Sequence, residues 1–264
     1  MSSAAKQTAL ITGASSGLGK ELAKLYAKDG YDLVLVARSQ DKLEALAKEL
    51  TEAHGTKATV LTSDLSKAEA PALLVKALEQ RNLQIDALVN NAGYGLYGPF
   101  VKTDLQKELE MIQLNVTSLT ELSKRLLPGM VARGKGQILN VASTAAFQPG
   151  PLMAVYYATK TFVLFLSEAL ASELEGTGVT VTAFCPGPTE SGFQAEAQLG
   201  SSKLVQGKKL PDAQSVAALG YKAAQKGKRV YIPGALNYAM ANSVRFLPRD
   251  AATAIVKMAQ APSS

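Results

Sequence analysis

Tyr156 and Lys160 stand four residues apart in Tyr156-Tyr157-Ala158-Thr159-Lys160, at the start of an apolar stretch with helical patterning. On a helix, positions i and i+4 share a face, so the phenol and the ammonium would lie side by side. A neighbouring cation favours the phenolate and lowers a tyrosine's pKa. Such a tyrosine can give or take a proton at an alcohol or carbonyl oxygen near neutral pH. The spacing alone is weak evidence, because a Tyr and a Lys at this interval are more often two residues of a half-exposed helix face. Tyr157, three residues before Lys160, shares that face and leaves the choice of tyrosine open. Counting narrows the other chemistries. With one cysteine, Cys185, and one histidine, His54, an internal disulfide and a Cys/His zinc site are excluded and a histidine triad is disfavoured. No metal is expected. Cys185 follows an apolar run and reads as a buried thiol, and His54 precedes Gly55 where a helix should end.

The chain has 264 residues, is 47% hydrophobic and carries a net charge of +6. That is enough for a large core. The basic residues are dispersed, and the densest group, residues 222–229, has no interleaved aromatics of the kind that bind nucleic acid, so it reads as a solvated helix end. No nucleic-acid partner is expected, while a positive field suits an anionic cofactor. The first residues lack a signal-peptide core, and no stretch approaches the ~18–20 apolar residues that span a bilayer. A cytoplasmic location is the expectation.

Short apolar runs alternate with helical patterns along the chain. Strands are predicted at 8–11, 32–37, 58–61, 85–89, 137–141, 179–184 and 229–232, and helices at 17–28, 41–53, 68–80, 104–133 and 155–175. Nearly continuous apolar strands separated by helices imply an α/β fold: a single doubly wound, Rossmann-type domain with a seven-stranded parallel sheet and helices on both faces. Ligands bind such sheets at the carboxyl ends of the strands. Residues 187–211 lack strand patterning and read as a substrate loop or lid. Residues 234–264 read as a helical extension broken at Leu247-Pro248-Arg249. Its stripe of Leu236, Met240, Val244 and Leu247 is expected to pack on the core, with a membrane or partner surface as the alternative.

The first strand runs into Thr12-Gly13-Ala14-Ser15-Ser16-Gly17-Leu18-Gly19, where a helix begins. Glycines let backbone amides approach a pyrophosphate, and the helix N-terminus adds partial positive charge. After the second strand come Arg38 and Ser39 in place of an acidic residue. A guanidinium there can hold a 2′-phosphate bidentately, which argues for NADP(H) over NAD(H).

These motifs, in this order, resemble the short-chain dehydrogenases/reductases from Thr8 to about Ile232. By that resemblance, Gly13, Ser15, Ser16, Gly17, Leu18 and Gly19 form the cofactor turn. Asp64 and Leu65 meet the adenine, and Asn91, Ala92 and Gly93 of Asn90-Asn91-Ala92-Gly93 line the cofactor. Pro186, Gly187 and Thr189 flank the nicotinamide. Asn115, Ser143, Tyr156 and Lys160 are implied to be catalytic, and the family pattern selects Tyr156 over Tyr157. The implied mechanism has Lys160 binding the nicotinamide ribose and depressing the Tyr156 pKa. Tyr156 is then the general acid in reduction and the general base in oxidation. Ser143 steadies the substrate oxygen, and Asn115 holds a water that links Lys160 to solvent. Members preferring NADP often carry a second basic residue at the position of Ser16, so the cofactor preference rests on Arg38.

The function implied is carbonyl/alcohol interconversion. Leu96, Phe100, Phe147, Leu152, Met153 and Phe193 suggest an apolar or mixed pocket. A cofactor-binding sensor without catalysis and a protein docking on membranes or partners through its C-terminal helices are the competing classes. The resemblance also implies a homodimer or homotetramer built on the two long helices. The substrate itself is not encoded in a readable way.

Overall fold

The computed structural model describes residues 6–193, 197, 207 and 209–261. Seven parallel strands form one sheet: β1 (Thr8–Thr12), β2 (Asp32–Ala37), β3 (Ala58–Thr62), β4 (Ala87–Asn90), β5 (Gly136–Val141), β6 (Val179–Phe184) and β7 (Val230–Tyr231). Their spatial order is β3-β2-β1-β4-β5-β6-β7. The chain therefore moves outward from β1, returns, and moves outward again from β4. The crevice between the two halves opens where β1 and β4 end, which is where such sheets take their ligands.

Alternation along the strands explains the layers. Ala9 and Ile11 of β1 face a core shared with α1 (Gly17–Lys28), α2 (Gln40–His54) and α7 (Ala213–Gln225). Leu10, between them, faces the opposite core with α3 (Ala70–Gln80) and α5 (Leu119–Ala132). Leu170 and Leu174, at the end of α6 (Ala154–Glu173) and just beyond it, join that second core. Both faces of the sheet are covered, as the apolar runs require. A buried chain of side-chain hydrogen bonds, Ser123–Asn90–Asn140–Ser167, ties α5, β4, β5 and α6 together.

The predicted strands and helices stand within two or three residues of their expected bounds, α7 is not among them, and one difference is of kind. The helix expected over 104–133 is α4 (Leu105–Ile112) followed by a π-helical turn, Gln113–Ser118, and then α5. Asn115 sits inside that turn. An inserted residue widens the helix locally, and apolar periodicity does not report it. The basic residues at 222–229 do lie about a helix end: Arg229 pairs with Glu175, and Lys228 lies 5.0 Å from the Tyr231 ring centroid. Cys185 is buried, and His54 closes α2.

After β7 come α8 (Ala235–Ser243) and α9 (Arg249–Gln260), separated by a short turn and Pro248. Ala252, Val256 and Gln260 of α9 are buried. Among the described residues no helix is long and apolar enough to cross a membrane.

Candidate active site

Two segments meet at the carboxyl ends of β1 and β4, and Thr12 joins them. Its hydroxyl donates to the Val89 carbonyl at 3.2 Å and accepts the amides of Asn91 and Ala92, each at 3.0 Å. Asn91 returns its amide to the carbonyls of Thr12 and Gly13. The turn is thereby held flat against the Asn90–Gly93 segment, and only glycine fits at its closest points. Gly13 has φ +67°, and a Cβ there would stand 2.7 Å from Asn91 Nδ2. A Cβ on Gly19 would meet the Gly13 carbonyl oxygen at 2.2 Å. Ser16, at the N-cap of α1, makes no side-chain cap bond. The first amides of α1 thus face the cavity with their partial positive charge available to an anion.

A cavity of ≈ 860 Å³ runs from this turn to the C-terminal helices. Nearly every residue expected to bind cofactor lines it: Gly13, Ser15–Leu18, Arg38, Ser39, Asp64, Leu65, Asn91–Gly93, Pro186, Gly187 and Thr189. Gly19 and Asn115 stand behind the wall. Lys42, in the first turn of α2, lines the same end as Arg38 and was not anticipated; a basic residue four positions after the strand-end arginine is the signal that could have found it. Burial would raise the Asp64 carboxyl. Two hydrogen bonds from Ser66 and the charges of Arg38 and Lys67 outweigh it and hold the pKa below the usual value.

At the other end, Ser143, Tyr156 and Lys160 line the cavity together. Ser143 follows β5 in extended conformation, where its Oγ accepts the Ala145 amide at 3.1 Å, donates to the Pro186 carbonyl at 3.4 Å and acts to lower the pKa of Tyr156. Tyr156 and Lys160 occupy the first turns of α6, and both are buried. Lys160 Nζ donates to the Val141 carbonyl at 2.8 Å and lies 5.7 Å from the Tyr156 ring centroid. Asn115 braces the group from behind. Its amide donates to the Tyr94 carbonyl and the Thr159 hydroxyl, and its Oδ1 accepts the Tyr94 amide. A Cβ on Gly93 would lie 2.9 Å from Asn115 Oδ1 and 3.6 Å from Lys160 Nζ, so that glycine permits the approach.

The pKa tuning differs from the expectation that Lys160 depresses Tyr156. Burial pushes the Tyr156 phenol well above its ordinary value, and the Ser143 hydrogen bond only partly opposes this. Burial also lowers Lys160 to about 8, with Cys185 acting in the other direction. Burial is the largest cause in both cases, and neither side chain is among the causes of the other's shift.

The apolar pocket also needs correction. Leu96, Met153 and Phe193 line the cavity, whereas Phe100, Phe147 and Leu152 do not. Phe100 is exposed on a short turn, and Phe147 packs under β6. Leu152 takes φ +68°, and its carbonyl accepts the Gly98 amide. The remaining wall comes from the C-terminal helices. Met240, Val244 and Leu247 of the predicted stripe line the cavity, while Leu236 is exposed. Their helical spacing meant a pocket wall, which periodicity cannot distinguish from core. Tyr157 also lines the cavity, and the Gln260 amide donates to its hydroxyl. Much of the expected lid, 187–211, lies outside the described residues; of it, Phe193 packs 5.3 Å from the Tyr156 ring.

The short-chain dehydrogenase family model matches residues 7–201. The chain belongs to that family of oxidoreductases. It is 38% identical over 183 residues to a very-long-chain 3-oxoacyl-CoA reductase of Anas platyrhynchos, a match covering 67% of this chain and 58% of the relative. The match thus spans little more than half of that relative. A short-chain dehydrogenase from Sphingobium yanoikuyae, solved in complex with NADPH, superposes with a TM-score of 0.82 at 33% identity, covering 91% of this chain and 92% of that one. The bulky-bulky ketone specific alcohol dehydrogenase from Comamonas testosteroni follows at 0.78 and 32%, with the same coverage.

Proposed function

We propose that this protein is an NADP(H)-dependent oxidoreductase that interconverts a ketone or aldehyde and an alcohol. One observation carries the reading: Ser143, Tyr156 and Lys160 converge in the same cavity that holds the glycine turn and Arg38 at its far end. The residues present fit the cofactor. The Gly13 cradle and the uncapped start of α1 suit a pyrophosphate, Asp64 suits an adenine amino group, and Arg38 with Lys42 suits a 2′-phosphate. The nicotinamide, when bound, supplies or accepts the hydride.

The chain's own groups handle the oxygen and its proton. Ser143 hydrogen-bonds the substrate oxygen and stabilises the charge developing there. Tyr156 donates its phenolic proton to that oxygen in reduction and removes it in oxidation. Its raised pKa keeps the phenol protonated in the resting site, the form that reduction needs. Lys160, lowered by burial to about 8, holds the ribose hydroxyls beside Tyr156. Asn115 fixes the Tyr94 backbone and Thr159, and so the seat of Tyr156 and Lys160. The activity of the relatives, including reduction of 3-oxoacyl and bulky ketone substrates, supports a carbonyl substrate with an apolar body. Among the described residues, 187–193 and 234–261 then wall the cavity of one Rossmann-type domain.

NADPH consumption against a panel of ketones and aldehydes tests the reading. Intact NADPH binding with no carbonyl turned over would leave the sensor reading in its place. A second role is supported by one observation: exposed Phe246 and Met258 directly follow exposed Arg245 and Lys257 in the chain, and Leu236 is exposed on α8. That pairing suits peripheral contact with an anionic membrane, and liposome co-sedimentation of the full chain measures it.

A further inference from the structure

Helix α9 lays Ala252, Val256 and Gln260 against the protein at helical spacing. Two are apolar, and the third is a glutamine with 0% exposure. An amide buried there costs free energy unless both its polar atoms are paired. One is: Gln260 Nε2 donates to the Tyr157 hydroxyl. The residue's backbone carbonyl also accepts the Tyr97 hydroxyl at 2.6 Å. Its Oε1 is buried and has no hydrogen-bond partner among the described residues. In this orientation of the amide the unpaired atom is the oxygen; the exchanged orientation would leave the nitrogen unpaired in its place, since the Tyr157 hydroxyl can serve only one of them. Gln260 lines the same cavity as Ser143 and Tyr156, and the Tyr157 ring it holds packs edge-on at 6.1 Å from the Tyr156 ring.

We infer that Gln260 is a specificity-determining residue, whose Oε1 accepts a hydrogen bond from a hydroxyl or N–H group that the substrate carries away from its reacting carbonyl. This deepens the carbonyl chemistry proposed above and rests on it. The substrate class is an apolar ketone with a second, donating group. Ser143 and Tyr156 take the reacting oxygen, and Leu96, Met153, Phe193 and Val256 surround the apolar body. A ketone without the donor leaves a buried oxygen unpaired and is selected against for that reason. The residue falls at the end of the chain, far from every motif, and no spacing rule singles it out.

The test compares kcat/KM for three matched ketones: an apolar one, its hydroxyl-bearing analogue and the methoxy analogue, which accepts but cannot donate. The full-length wild type, Gln260→Met, Gln260→Glu and Tyr157→Phe are assayed, with NADPH affinity and thermal melts recorded for each. The wild type is expected to favour the hydroxyketone over the methoxyketone by about tenfold, the worth of one buried hydrogen bond. Gln260→Met should collapse that ratio, and Gln260→Glu, which keeps an acceptor oxygen, should restore it. Tyr157→Phe removes the other partner of the amide and should leave the ratio within about twofold. Turnover of all three ketones by the wild type without preference would overturn the inference and spare the reaction. So would an equal loss on all three in both Gln260 variants, which would make the residue a packing element. Should Gln260→Met fail to fold, the wild-type ratio and Gln260→Glu decide the matter. NADPH binding without turnover of any ketone would sink the reaction and this inference together.

Discussion

Lys160 is a cation in a place that disfavours charge, and two measurable consequences follow. Its pKa in the folded protein is about 8, against an ordinary 10.5. Between those values the unfolded chain binds the extra proton and the folded chain does not, so stability rises with pH across that window. Below it, the buried charge is a constant cost. Lys160→Met is therefore expected to raise Tm near neutral pH, to flatten the rise between pH 8 and 10.5, and to lose turnover. An unchanged melting profile would show that the fold does not feel the charge. The same titration shapes catalysis: kcat/KM for carbonyl reduction should fall as pH passes about 8, where the ammonium is lost. A profile flat well beyond that point would remove Lys160 from the proton step. Tyr156→Phe deletes the acid while keeping the ring against Phe193. Turnover should drop by about 10²–10⁴, the usual share of general acid–base catalysis, with NADPH affinity retained. Residual activity near wild type would point to Tyr157.

At the scale of elements, the glycine turn and the end of β2 set the cofactor. Gly13→Ala places a methyl 2.7 Å from Asn91 Nδ2 at a positive φ. The expected cost is about 2 kcal/mol or more, from left-handed strain and overpacking together. Both Tm and cofactor affinity should fall, and retained NADPH binding would argue against the cradle. Arg38→Ala is expected to weaken NADPH by about tenfold or more while changing NADH less, because only one of the two carries a 2′-phosphate. Equal loss for both would assign Arg38 to the adenine or to the fold. The π-helical turn at Gln113–Ser118 is the element that pattern reading missed. Its six residues continue a helix in apolar spacing, and the insertion shows only in the π-helical backbone, where Asn115 bonds Tyr94 and Thr159.

At the scale of the molecule, α4 and α6 expose Leu105, Leu109, Phe162 and Phe165. These side chains suit burial against a second copy, as the resemblance implied. Phe165→Glu is expected to shift the particle toward the monomer in light scattering; an unchanged mass would place any interface elsewhere. The C-terminal helices have the opposite history. Their apolar stripe was legible, but its destination was not, because a helix face packed on a core and one walling a cavity share the same period.

Strand and helix order, the glycine turn, and the set Asn115, Ser143, Tyr156 and Lys160 were all legible in the amino-acid sequence. The strands, the glycine turn and the Tyr156–Lys160 pair are local in the chain and follow periodicity or short spacings that a backbone must honour; Asn115, Ser143 and the choice of Tyr156 over Tyr157 came from the resemblance to the family. Packing in three dimensions settled the rest: what burial does to Tyr156 and Lys160, which predicted pocket residues reach the cavity, and that Lys42 and Gln260 line it. Burial and long-range contact are properties of the packed whole. Gln260 meets Tyr157 across 103 positions of sequence, a distance at which no local pattern carries information.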